Sequence, residues 1–150
     1  MIKIDTIDRK ILEVLTKDAR ISVPKLSKKI NVNSSVCYSR INRLIRRNLI
    51  KKFTIIVDEE MLGYPIKALI GLNVDVRHRE TIIECINNLP ETRMIQEVTG
   101  RSDFIIEVRV KSLDHLHQIV TGSIGQIEGV IRTETLIEMK TVLKDPSFNE

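Results

Sequence analysis

The sequence predicts an α+β chain in two parts, an N-terminal winged helix-turn-helix unit followed by a βαββαβ ferredoxin-like unit. Three observations lead there. Up to Arg47 the apolar residues recur at three- and four-residue steps, the helical period. Beyond Pro65 stretches of strict alternation trade places with helical stretches in the order strand, helix, strand, strand, helix, strand. Between the two, Gly63-Tyr64-Pro65 breaks both periods. The expected organisation is residues 1–58 for the first unit, 59–66 for a linker and 67–150 for the second.

The first helix follows from Ile4, Ile7, Ile11, Val14 and Leu15 on one face, with Asp5 as its cap. Ser22 can cap a short second helix that tolerates Pro24 in its first turn, with Leu26 and Ile30 facing inward. Asn31-Val32-Asn33 makes the corner, since Asn adopts left-handed backbone more readily than most residues. Asn33 then caps a third helix to about Arg47, with Cys37, Ile41, Leu44 and Ile45 as its buried stripe. Asn48 ends that helix, and Ile50 to Val57 reads as the strand of the wing.

In the second unit a half-buried strand spans 66–76, with Ile70, Leu72, Val74 and Val76 on one face and Leu69, Gly71, Asn73 and Asp75 on the other. A helix over about 79–89 and strands over about 92–99 and 103–110 follow. Another helix over about 112–124 and a long strand over about 130–142 complete the order. Both helices of such a plait cover one sheet face. The other face is expected to carry Leu69, Ile95, Ile105 and Leu136 among Asn73, Glu97 and Arg109, too apolar for an idle surface. A second copy packing on it in an isologous dimer is expected, with coverage by loops or the linker as the alternative.

Charge divides the chain in the same place. Residues 1–60 hold 14 Lys and Arg against 7 Asp and Glu, whereas the whole chain carries only +4. Between Asp18 and Asp58 there is no acid but ten bases: Arg20, Lys25, Lys28, Lys29, Arg40, Arg43, Arg46, Arg47, Lys51 and Lys52. A one-signed stretch of this kind attracts polyanions, and phosphate contacts supply most sequence-independent affinity for double-stranded DNA. The third helix has the form of a recognition helix, with Ser34, Ser35, Tyr38, Ser39 and Asn42 exposed toward base edges. Asn42 and Arg43 suit purine edges. Lys25, Arg40, Arg46, Arg47, Lys51 and Lys52 suit phosphates.

Several function classes find no support. The N-terminal MIKIDTIDRK has no apolar core of a signal peptide, and no run approaches the roughly 20 apolar residues that span a bilayer, so the expectation is a cytoplasmic protein without a membrane partner. Cys37 and Cys85 are far apart and both fall in apolar helical patterns, which reads as two buried free thiols. His115 and His117 diverge on a helix, His78 stands alone, and no cluster has metal-ligand spacing. Gly122, Gly125 and Gly129 lie around a helix end and open no nucleotide loop. No enzyme, metal or cofactor is expected.

The stretches IDTIDRKILEVLTKDARISVPKLSKKI, SSVCYSRINRLIRRNLIKKFTIIVD, LGYP, VTGRSDFIIEV and IEGVIRTETLI together resemble the Lrp/AsnC, or feast/famine, transcription regulators over nearly the whole chain. The resemblance implies an amino-acid effector held between dimers that assemble into octamers or similar rings, and a palindromic operator. It implies a pocket at Glu97, Val98, Thr99, Gly100, Arg101, Ser102 and Asp103, completed by Thr133, Glu134, Thr135, Leu136 and Ile137. The amides of a Gly-containing turn suit a carboxylate, and Asp103 suits an ammonium group. Asn31 and Asn48 stand where the family usually has Gly. Arg101-Ser102 stands where it commonly has a small or acidic residue and then an aromatic one, which points to a polar effector. The other readings are a tetrapyrrole decarboxylase of similar shape, using His117 and Arg101, and an architectural DNA-compacting protein.

Overall fold

The computed structural model describes residues 4–144, Pro146 and Phe148. It divides between Ile56 and Val57, with the segment from Val142 belonging to the first unit. Residues 1–3, 145, 147 and 149–150, inside the expected bounds of the two units, lie outside the described residues.

The first unit holds α1 (Thr6–Lys17), α2 (Val23–Ile30) and α3 (Ser34–Arg46). Asp5 caps α1 by accepting from the Ile7 and Asp8 amides, and Asp8 returns a bond from the Asp5 amide, closing a capping box. Ser22 and Asn33 stand at the cap positions of α2 and α3 without a side-chain bond to the helix. Asn31 and Asn48 both adopt left-handed backbone, with φ of 57° and 59°, as expected at the two helix ends. Ile11, Leu26, Cys37 and Leu44 are buried together, and burial pushes the Cys37 thiol up. Two expectations fail here. Ile45 is exposed and leaves the buried stripe to Cys37, Ile41 and Leu44. The wing strand over Ile50–Val57 does not form, because among the described residues this unit offers no second strand to satisfy its backbone groups. Phe53, Ile55, Ile56 and Val57 are all exposed.

The second unit holds β1 (Ile66–Val74), α4 (Arg79–Asn87), β2 (Thr92–Glu97), β3 (Phe104–Val110), α5 (Leu113–Gln118) and β4 (Val130–Ile137). The sheet is antiparallel in the order β2-β3-β1-β4, which is the expected plait. Ala68, Ile70, Leu72 and Val74 of β1 and Phe104, Ile106, Val108 and Val110 of β3 are buried with Ile82, Ile86, Leu116, Ile119 and Ile124. Those residues come from α4, from α5 and from the π-helical turn Ile119–Ile124 that continues α5. The helix expected over 112–124 therefore changes pitch at Ile119. Val76, expected inward, is exposed in the 3-10 turn after β1, and Cys85 is an exposed thiol on α4. β4 stops at Ile137, five residues short of expectation, its last residue standing opposite Ala68 of β1.

The open sheet face differs from the expected one in β2. A bulge between Thr92 and Met94 shifts the register, so that Ile95 stands opposite Ile106 and Glu97 opposite Phe104, on the helix-covered face. Met94 and Gln96 take their places on the open face, opposite Glu107 and Ile105. Leu69, Asn73, Ile105, Arg109 and Leu136 lie there as expected. One end of this face is charged. Lys67 pairs with Glu107 at 3.2 Å and Glu138 at 2.9 Å, which raises the Lys67 ammonium above its ordinary value. Glu59, before β1, pairs with Arg93 at 2.5 Å and Arg109 at 2.9 Å.

Candidate functional site

The residues expected to meet DNA fall into two groups. Lys25, Ser35, Tyr38, Ser39, Arg46, Arg47, Lys51 and Lys52 are exposed, Tyr38 at 61%. Among the described residues none of the five bases in that set makes an ion pair, and the side chain of Asn42, half-buried, makes no hydrogen bond. Ser34 is exposed at the start of α3, with its hydroxyl 2.9 Å from that of Ser27 on α2. This leaves α3 presenting short polar groups, one amide and one phenol between flanking cations, a pattern suited to base edges inside a phosphate grip.

Arg40 and Arg43 belong to the second group, and the structure corrects their expected freedom. The Arg40 guanidinium pairs with Asp5 and, at 3.2 Å, with Asp8; the Arg43 guanidinium reaches Asp8 at 2.5 Å. Asp8 is only 1% exposed. The Arg40 guanidinium holds the Asp5 carboxyl down to about 2. Charges from the first turn of α1 thus close over the flank of α3. The signal was present in the sequence as matched i, i+3 spacings, Asp5/Asp8 and Arg40/Arg43, but nothing in one chain said the two pairs would meet.

The expected effector residues also divide, this time between the two faces of the sheet. The turn after β2 closes with the Val98 amide donating to the Asp103 carbonyl at 3.0 Å, and Gly100 takes φ +117°, which favours glycine. Arg101 lies over the open face, where its guanidinium pairs with Glu134 of β4 at 3.1 Å and its carbonyl accepts from the Asn73 amide group at 2.9 Å. Ser102 sits over Gly71, where an added Cβ would come 2.6 Å from the Ser102 hydroxyl. Leu136 shares that face with Glu134. Thr133, Thr135 and Ile137 stand opposite Leu72, Ile70 and Ala68 and so turn to the helix side.

Asp103 is not an open counter-ion. It accepts from the Val74 amide at 3.0 Å and pairs with Arg79 at 3.2 Å. The same guanidinium reaches Glu97 at 2.7 Å and lies over the Phe104 ring at 5.3 Å. Gly71 and Asn73 are expected on the open face of β1 but not beside the turn, and nothing in the sequence singles out Arg79, because each gains its role from register and crossing and not from spacing. His117 and Arg101, paired in the decarboxylase reading, are not brought together: α5 covers one sheet face and Arg101 lies over the other.

No helix among the described residues is long and apolar enough to cross a membrane. Residues 67–148 match the family profile described as Lrp/AsnC ligand binding domain, and residues 4–51 match winged helix-turn-helix DNA-binding. The chain is 36% identical over 143 residues to the transcriptional regulator AzlB of Bacillus subtilis, covering 93% of this chain and 91% of that one. The structure of E. coli AsnC superposes with a TM-score of 0.87 at 26% identity, covering 95% of this chain and 97% of that one. A transcriptional regulator of Neisseria meningitidis, solved as its L-Met complex, superposes at 0.91 with 19% identity, covering 98% and 97%; that likeness concerns the fold.

Proposed function

Since the chain belongs to the Lrp/AsnC family, and is a DNA-binding transcriptional regulator with an Lrp/AsnC ligand-binding domain, we propose that it reads a palindromic operator in the cytoplasm under the control of a small polar amino acid, with no cofactor and no catalytic step. The observation that carries the effector reading is the Arg101 and Glu134 pair on the open sheet face, next to the Gly100 turn. Its two members offer one cation and one anion about 3 Å apart, which matches the two charged ends of an amino acid. The Neisseria meningitidis fold neighbour, being an L-Met complex, supports an amino acid as the ligand class. Asp103, committed to Val74 and Arg79, is the base of the pocket in this reading and not its ammonium site.

The open face, with Met94, Leu69, Ile105 and Leu136 exposed or half-buried, supports a homodimer through a second copy, and dimers building an octamer or similar ring follow the family pattern. A palindromic site would match that two-fold symmetry.

A thermal-unfolding screen against the twenty amino acids tests the effector, since a ligand at 100 times its Kd adds about 2.7 kcal/mol. The response should vanish in Glu134→Gln with the unliganded melting point unchanged. Asp103→Ala should instead lower that melting point, by about 1–3 kcal/mol of stability, because the Val74 amide and the Arg79 guanidinium lose a shared acceptor. No stabilisation by any amino acid would refute the effector reading.

For DNA, affinity should fall by orders of magnitude over a few-fold rise in salt. Asn42→Ala should cost about 1–3 kcal/mol on the operator and little on bulk DNA, whereas Lys51→Ala should weaken all sequences alike. Equal losses on both DNAs for Asn42→Ala would favour the architectural reading.

A further inference from the structure

The contact between the first turn of α1 and the flank of α3 is charge-balanced. Asp5 and Asp8 supply two acids, Arg40 and Arg43 two bases, and every carboxylate oxygen is used. Asp5 Oδ1 accepts from the Ile7 and Asp8 amides at 3.0 Å each, and its Oδ2 faces Arg40. Asp8 Oδ1 faces Arg40, and its Oδ2 accepts from the Asp5 amide at 3.3 Å and from Arg43. Yet Arg40 and Arg43 are on the helix expected to enter DNA, and Asp5, about half exposed, stands beside them at the surface. An acid there is costly for a DNA-binding face, since it repels phosphate. It is unexpected on electrostatic grounds alone in a unit otherwise stripped of acids from Asp18 to Asp58.

We propose that Asp5 is a specificity-determining residue: its carboxylate occupies Arg40 in place of a DNA phosphate and so withholds that cation from the sequence-independent grip of the domain. The inference rests on the DNA-binding reading and deepens it. Sequence-independent affinity comes from cations that release counterions when they neutralise phosphates. A guanidinium already neutralised by a carboxylate of its own chain has little to gain from exchanging that partner for a phosphate. The free bases Lys25, Arg46, Arg47, Lys51 and Lys52 still supply a grip. With Arg40 withheld, base-edge contacts at Ser35, Tyr38, Ser39 and Asn42 make up a larger share of operator binding, and the ratio of operator to bulk affinity rises. Asp8, buried beneath the pair, fixes where Arg40 and Arg43 can point; Asp5 is the member at the surface, where exchange with phosphate is decided. The Asp5 carboxyl, held down to about 2 by Arg40, stays charged wherever DNA binding is measured.

Asp5→Asn removes one charge and keeps the helix cap, because Asn caps as well as Asp. It leaves two guanidiniums sharing one carboxylate. The experiment measures binding of the full chain to a short mixed-sequence duplex as a function of potassium chloride for wild type, Asp5→Asn, Arg40→Gln and the double variant. In Asp5→Asn the plot of log affinity against log salt should steepen by about 0.9 for each bound subunit, and bulk affinity at low salt should rise about tenfold or more with little change in melting point. Arg40→Gln should keep the wild-type slope, and the double variant should return to it. An unchanged slope in Asp5→Asn would overturn the proposal, as would a flatter slope in Arg40→Gln, which would show Arg40 already on a phosphate. The Arg40→Gln arm stands even if Asp5→Asn folds poorly. A wild-type chain with no salt-dependent binding would instead sink the DNA-binding reading itself, a result distinct from either.

Discussion

Replacing Asp8 with alanine should lower the stability of the helical unit by about 3 kcal/mol and leave the sheet unit untouched. Asp8 is almost fully buried, and three donors converge on it: the Asp5 amide and the guanidiniums of Arg40 and Arg43. Removing one partner of a buried ion pair costs about 3–5 kcal/mol when the other is trapped without water. Here the side chains of Arg40 and Arg43 are 23% and 33% exposed, so both can turn partly to solvent, which pulls the cost to the low end. Loss of the capping-box bond adds to it. Asp8→Asn keeps an acceptor and should cost less. Amide exchange checks the claim: protection should fall through α1, α2 and α3 while β1 and β3 keep theirs. Undiminished protection in the helices would mean that the apolar cluster of Ile11, Leu26 and Leu44 holds the unit without the ionic contact. Asp5 adds a smaller effect of known sign. Its folded-state value of about 2 lies below the ordinary 3.8, so its contribution is present above about pH 4 and is lost as the pH falls toward 2. Being half exposed, it is screened, and Asp5→Asn should only flatten the acid limb of the stability profile.

The parts of the fold legible in the sequence are those set by local pattern. The periodic stripes of α1 and α2, the capping role of Asp5, the left-handed Asn31 and Asn48, and the alternation of β1 and β3 all depend on residues within a few positions of one another. What failed to show was decided by pairing between distant segments. A single extra residue near Arg93 turns β2 over, and no property of Arg93 announces it. β4 ends opposite Ala68 of β1, and the segment after α3 stays without a strand because nothing among the described residues of its unit pairs with it. The acid-free stretch between Asp18 and Asp58 read as one uniform basic surface. The fold then laid Asp5 and Asp8 against its middle, removing Arg40 and Arg43 from the free cations. At the turn after β2, the local sequence marked a tight turn at Gly100 and Asp103, and only the family resemblance offered Asp103 to a ligand; the fold sets its carboxylate on the Val74 amide and the Arg79 guanidinium.

The turned strand makes neighbouring residues behave oppositely, and this is the second large effect expected. Ile95 stands across from Ile106 and packs against the buried cluster of the sheet unit. Ile95→Glu should therefore act on folding. A carboxylate would have to enter an apolar layer or drag β2 off the sheet edge, at a cost of several kcal/mol, enough to unfold the sheet unit or leave it marginal. Met94 is one residue away on the open face, 39% exposed and opposite Glu107. Met94→Glu should leave the melting point of the dissociated chain nearly unchanged. If a second copy covers that face, it should shift sedimentation toward the smaller species, because a charge without a partner then enters a desolvated interface next to Glu107. Leu136→Glu, on the same face from β4, should behave like Met94→Glu and not like Ile95→Glu. The two measurements separate two claims. If Ile95→Glu folds normally and Met94→Glu does not, the bulge is misplaced and the strand has its unshifted register. If both Met94→Glu and Leu136→Glu fold and sediment as wild type does, the register stands and the open face belongs to something other than a second copy.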